Sequence, residues 1–211
     1  MVESRQSYLL AAESAVELLR HPAVAASWDK PSALMEFSVA GLAGHLAHQL
    51  VRVGEALTPS GTVQPPVTLM EHYTRSPWVQ AGLDHESNLS IRRGGEAAAA
   101  AGPALLVERS QALLDMQRAA LGSEPADRVV NTPAGWTLLL DDFLLTRLVE
   151  LVVHGDDLAA SVGVETPRLP PSVIDPVVEL LARLAVHRHG PTAVIRTLSR
   201  AERAPATISA F

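Results

Sequence analysis

Glu150 and His154 stand four residues apart in the most apolar stretch of the chain, Leu138 to Ala160. Four residues is one helical turn, so both side chains leave the same face of a helix. Leu148, Val149, Leu151, Val152 and Val153 surround the pair and imply burial. A carboxylate buried among such residues is costly unless a cation compensates it. That cation is either Arg147, three residues back on the same helix, or a metal ion shared with His154.

A second histidine gives the metal reading its geometry. Ser38 stands at an N-cap position, and Val39, Leu42, Leu46, Leu50 and Val53 follow at spacings of three and four, the pattern of an amphipathic helix. His45 lies on the shoulder of that apolar stripe, two turns in from the cap. His45, Glu150 and His154 together offer two imidazoles and one carboxylate, a set that suits zinc and leaves a fourth position for water or substrate.

The remaining polar residues divide by position. Asp157 falls three residues past His154, placed to accept a hydrogen bond from the imidazole nitrogen turned away from a metal, or else to sit solvated near the helix end. Asp156 points elsewhere and reads as surface. His48 is an alternative ligand rotated toward the polar side, more in keeping with the mouth of a site or an exposed position. His187, Arg188 and His189 cluster at a helix end, where cations favour the C-terminal dipole. His21, His72 and His85 lie in or beside breaker segments and receive no role.

The elements that must position these residues are helices. The spacing predicts a first helix from about Ser4 to Arg20, ended by Pro22, then a loop carrying Trp28, Pro31 and Met35. A second runs from Val39 to about Leu57 and stops before Thr58-Pro59-Ser60-Gly61. A long connection with Pro65, Pro66, Pro77, Trp78 and Gly82 leads to about Arg93. A third helix spans roughly Gly95 to Leu121, with Gly102-Pro103 as a break within it. Thr132-Pro133-Ala134-Gly135-Trp136 is a turn, after which Thr137 caps the fourth helix, ended by Gly163. A fifth runs from about Ser172 to His189 and is closed by Gly190-Pro191. The tail after Leu198 shows no periodicity and is expected over the surface.

This order describes an all-α protein: a four-helix bundle over residues 1–165, with a long connection between helices two and three, and a C-terminal helix and tail over 166–211 packed on the same domain. At 211 residues the chain is long enough for one sizeable core. Its net charge of -6, from 23 acidic and 17 basic residues, comes with no basic block, which argues against nucleic acid as a partner. Lys30 is the only lysine, and with the abundant alanine this suggests a GC-rich genome. Cysteine is absent, so disulfides, thiolate metal ligands and a protein thiol nucleophile are excluded, and any sulfur chemistry needs an external thiol. No apolar run approaches the roughly 18 residues of a membrane span, and a soluble, cytoplasmic protein is expected.

Two segments carry a resemblance. Ser38-Val39 with His45, and Arg147-x-x-Glu150-x-x-x-His154-x-x-Asp157-Leu158 followed by Ala160 and Gly163, resemble the two signatures of the mycothiol-dependent maleylpyruvate isomerase N-terminal domain, within the DinB-like superfamily. The resemblance covers most of residues 1–165. It implies a DinB-like bundle with a divalent metal, usually zinc, on His45, Glu150 and His154. It also implies a low-molecular-weight thiol, mycothiol in actinobacteria, as cosubstrate for isomerisation of, or transfer to, a small electrophile. The isomerase carries a further C-terminal domain with a catalytic arginine, which the tail here is too short to match, so no catalytic arginine is assigned. A metal-stabilised binding or regulatory module and a thiol-independent metal hydrolase stand as alternatives, and the aliphatic surface suits a monomer or a homodimer.

Overall fold

A computed structural model describes residues 3–58, 64–76, 79 and 85–211. Four helices form the bundle: α1 (Glu3–Leu19), α3 (Val39–Leu57), α6 (Pro103–Leu121) and α7 (Leu140–Val162). α1 packs on α7, α7 on α3, α3 on α6, and α6 back on α1, closing a ring. Its interior is aliphatic, with Leu42, Leu46, Leu50, Leu114, Leu144, Leu148 and Leu158 fully buried. Removal of this apolar area from water is the main force holding the ring together.

Helix starts follow local chemistry. Ser38 Oγ accepts from the Gly41 amide at 2.8 Å and donates to Glu96 Oε1 at 2.7 Å, so the cap of α3 also ties it to α5 (Glu86–Ala99). The short helices α2 (Pro22–Ala26) and α4 (Leu69–Arg75) begin on a His21 side-chain cap and on a reciprocal Thr68–Glu71 capping box. α7 ends at Gly163, whose φ of 70° is the left-handed conformation that closes a helix.

The break expected at Gly102-Pro103 is present: Gly102, at φ 88°, turns the chain between α5 and α6, and Pro103 starts α6 without needing an amide partner. Several other expectations are corrected. The helical run begins before Gly95, at Glu86. The connection after α3 holds α4; Pro59, Ser60, Gly61, Pro77, Trp78 and Gly82 lie outside the described residues. Thr137 does not cap α7. It lies in β2 (Thr137–Leu139), antiparallel to β1 (Val129–Asn131), and its hydroxyl donates to the Gln64 carbonyl at 2.9 Å. α7 starts at Leu140 with no side-chain cap, and Asp141 and Asp142 in its first turn complement the helix dipole instead. Strands of three residues are too short to show alternation, which is why the hairpin left no periodic trace.

α8 (Pro171–His189) packs on α7 and α1. Gly190-Pro191 both stops α8 and starts α9 (Pro191–Ser199), a further helix that precedes the tail. Among the described residues, no helix is long and apolar enough to cross a membrane.

α3 and α5 cross with almost no space between their backbones. A Cβ on Gly44 would collide with the Gly95 carbonyl oxygen, and one on Gly95 would collide with that of Gly41. This glycine contact lies directly behind His45, whose Cβ is 3.3 Å from where a Gly95 Cβ would stand.

Candidate metal centre

α3 and α7 meet at the residues singled out above. His45, on the second turn of α3, is 8% exposed, with the Phe37 ring 5.9 Å away. Its Nε2 lies 3.2 Å from Glu150 Oε2 on α7. His154, one turn further along α7, brings its own Nε2 to 3.5 Å from the same oxygen. The two imidazoles meet edge to face at 4.7 Å. One donor atom from each of the three residues lies within 4.8 Å of the other two, a group that could hold a metal ion. The two gaps to Glu150 are close to the edge of about 3.4 Å that a tetrahedron of zinc ligands requires.

The hydrogen-bond chemistry of this cluster fits a cation at its centre. His154 Nδ1 lies 2.9 Å from Asp157 Oδ2, so Nδ1 carries a proton and Nε2 faces Glu150 with a lone pair unless the ring is doubly protonated. Acceptor would then face acceptor, and a proton or a metal must lie between them. Burial opposes the charge on His154, but its hydrogen bonds to Asp157 and Glu150 outweigh that and lift its pKa to about 9. Burial lowers that of His45, with Glu150 only partly offsetting it. Burial also works against ionisation of Glu150, yet the two histidines and the Arg147 charge hold it well below the usual carboxylate range. A divalent ion would supply from one point the positive charge that protons otherwise bring.

Arg147 acts on Glu150 only through space and makes no direct ion pair with it. Its Nη1 donates to Gln49 Oε1 at 2.6 Å, its Nε to Thr146 Oγ1 at 3.0 Å, and its guanidinium lies 5.4 Å over the Phe143 ring. His48 is half-buried and outside the cluster, its pKa lowered first by burial and then by Arg52. Asp156, exposed, accepts from Thr166 at 2.5 Å. His189 meets the Ser209 carbonyl at 2.8 Å.

The profile of the mycothiol maleylpyruvate isomerase N-terminal domain matches residues 9–159. The chain belongs to that family. Two solved structures, one of the mycothiol-dependent maleylpyruvate isomerase and one of a histidine-to-alanine mutant of it, superpose with a TM-score of 0.56 each. They are 17% and 16% identical to this chain, and the match covers 87% of it and 68% of theirs. At that identity the likeness shows the fold, which is all-α and DinB-like. No curated protein matches.

Two residues of this maleylpyruvate isomerase-type domain escaped the sequence reading. Gln49 is 1% exposed and lies one turn past His45 on the same face of α3, which a polar residue between Leu46 and Leu50 already signalled. His72 on α4 is buried, and its Nδ1 accepts from Trp136 Nε1 at 3.0 Å. Burial and the Arg147 charge lower its pKa to about 4, so it stays neutral. Its partner comes from the β-hairpin, 64 residues away, and no local signal announces that contact.

Proposed function

We propose that the chain is a metal-dependent enzyme, with zinc on His45, Glu150 and His154, that uses a low-molecular-weight thiol such as mycothiol for transfer to, or isomerisation of, a small electrophile. Family membership supplies the isomerase- or transferase-like class. The single observation that carries the metal reading is the convergence of one carboxylate oxygen and two imidazole nitrogens from helices 105 residues apart.

Zinc at this position would make a thiol nucleophilic at neutral pH by favouring its thiolate. The protein's own residues set the conditions for that chemistry. His45 and His154 would act as neutral ligands, and Asp157, accepting from His154 Nδ1, fixes the tautomer that directs Nε2 inward. Glu150 would offset part of the metal charge. The side chains of Glu150 and His154 remain 17% and 18% exposed and so within reach of a ligand. A cytoplasmic setting, where such thiols stay reduced, goes with this reading.

Purified protein is expected to carry close to one equivalent of divalent metal, and His45→Ala or Glu150→Ala to lose it. Elemental analysis of folded variants measures this, and wild-type metal content in both would remove the basis of the proposal. The activity is tested by metal-dependent consumption of mycothiol with a panel of electrophiles; turnover without thiol would point to hydrolysis instead.

A further inference from the structure

Gln49 has no part in the cluster of donor atoms, yet it is locked beside it. Its Oε1 accepts from Arg147 Nη1 at 2.6 Å. A guanidinium has donors only, so the opposite amide orientation would set donor against donor, and the amide nitrogen must face His45. That nitrogen donates one hydrogen to the His45 carbonyl at 3.0 Å. It also lies 3.4 Å from His45 Nε2. Once that Nε2 lone pair is committed to a metal, the second amide hydrogen has no acceptor left among the described residues.

A buried donor without a partner is costly, so this one is suited to an acceptor that arrives with the ligand. The charges nearby set the sign of that acceptor. A divalent ion and Arg147 together outweigh Glu150 and Asp157, and Arg147 has no carboxylate partner among the described residues. The guanidinium also polarises the amide it holds, which strengthens the remaining N–H as a donor.

We propose that Gln49 is the hydrogen-bond donor for the anionic sulfur or oxygen of a ligand bound beside His45, oriented for that purpose by Arg147. This rests on the metal reading given above. The test uses full-length protein loaded with cobalt(II), with cobalt affinity measured by chelator competition and anion affinity by visible-spectrum titration with azide and with mercaptoethanol.

In Gln49→Leu, cobalt affinity is expected to stay within about threefold of wild type while the dissociation constants of both probes rise about tenfold or more, the worth of one hydrogen bond to a charged group. Gln49→Glu keeps the shape and the Arg147 contact, so it serves if the leucine variant does not fold, and it should weaken azide binding at least as much. Unchanged probe affinity in a cobalt-loaded variant would overturn the proposal. So would a parallel loss of cobalt, which would make Gln49 only a brace for His45. Failure of the wild-type protein to take up cobalt would instead overturn the metal reading, and this inference with it.

Discussion

The proton on His154 and a metal ion compete for one nitrogen. In the metal-free fold its pKa stands near 9, above the ordinary 6.5, so its ion pair adds stability that is fully present below about pH 6.5 and is lost as pH rises through about 9. Metal binding needs Nε2 free and runs the other way, with affinity falling about tenfold per unit as pH drops below 9. Chelator competition is expected to show metal bound roughly a hundredfold less tightly at about pH 6 than at about pH 8. A flat profile would mean that His154 is not a ligand. Asp157→Asn removes the charge behind the imidazole, and metal affinity near neutral pH should fall roughly tenfold.

α3 and α5 owe their close approach to glycines. Gly44→Ala must separate α3 from α5, because a methyl group there meets backbone that cannot swing aside. A cost of about 2 kcal/mol is expected in denaturant unfolding, with metal affinity reduced because His45 rides on the same turn. Gly155 on α7 is the opposite case. A Cβ there meets nothing within 4 Å, and the residue borders a cavity of about 250 Å³ lined by Ala11, Leu151 and Ile174. Gly155→Ala is expected to stabilise the protein by about 1 kcal/mol through helix propensity, leaving metal content unchanged. A lower unfolding midpoint for that variant would show that the cavity face needs the glycine.

A buried cation ties the ends of three bundle helices together. Arg5, 3% exposed, bonds Asp141 at 3.0 Å and the carbonyls of Leu121, Glu124 and Pro125, joining α1 to the end of α6 and the start of α7. Arg5→Leu leaves those acceptors unpaired and is expected to cost about 3 kcal/mol, read as a lower unfolding midpoint at unchanged denaturant dependence. On the inner side, Tyr8 donates to Gln117, which in turn donates to the Leu50 carbonyl, so α1, α6 and α3 share one polar link within the core.

The sequence by itself determined the helices and their polarity. The α3 cap at Ser38, the stripe from Val39 to Val53, the Gly163 stop and the one-turn spacing of Glu150, His154 and Asp157 are all local patterns, and a helix converts spacing directly into a shared face. The three-residue strands and the α9 helix lay below that signal. Only the tertiary structure decided that Arg147 does not pair with Glu150. Arg147 was near enough in sequence to neutralise it, and the outcome turned on Gln49, 98 residues away, drawing the guanidinium aside while His45 came in from α3. Periodicity fixes the face a side chain leaves from, but its partner is set by packing between distant segments.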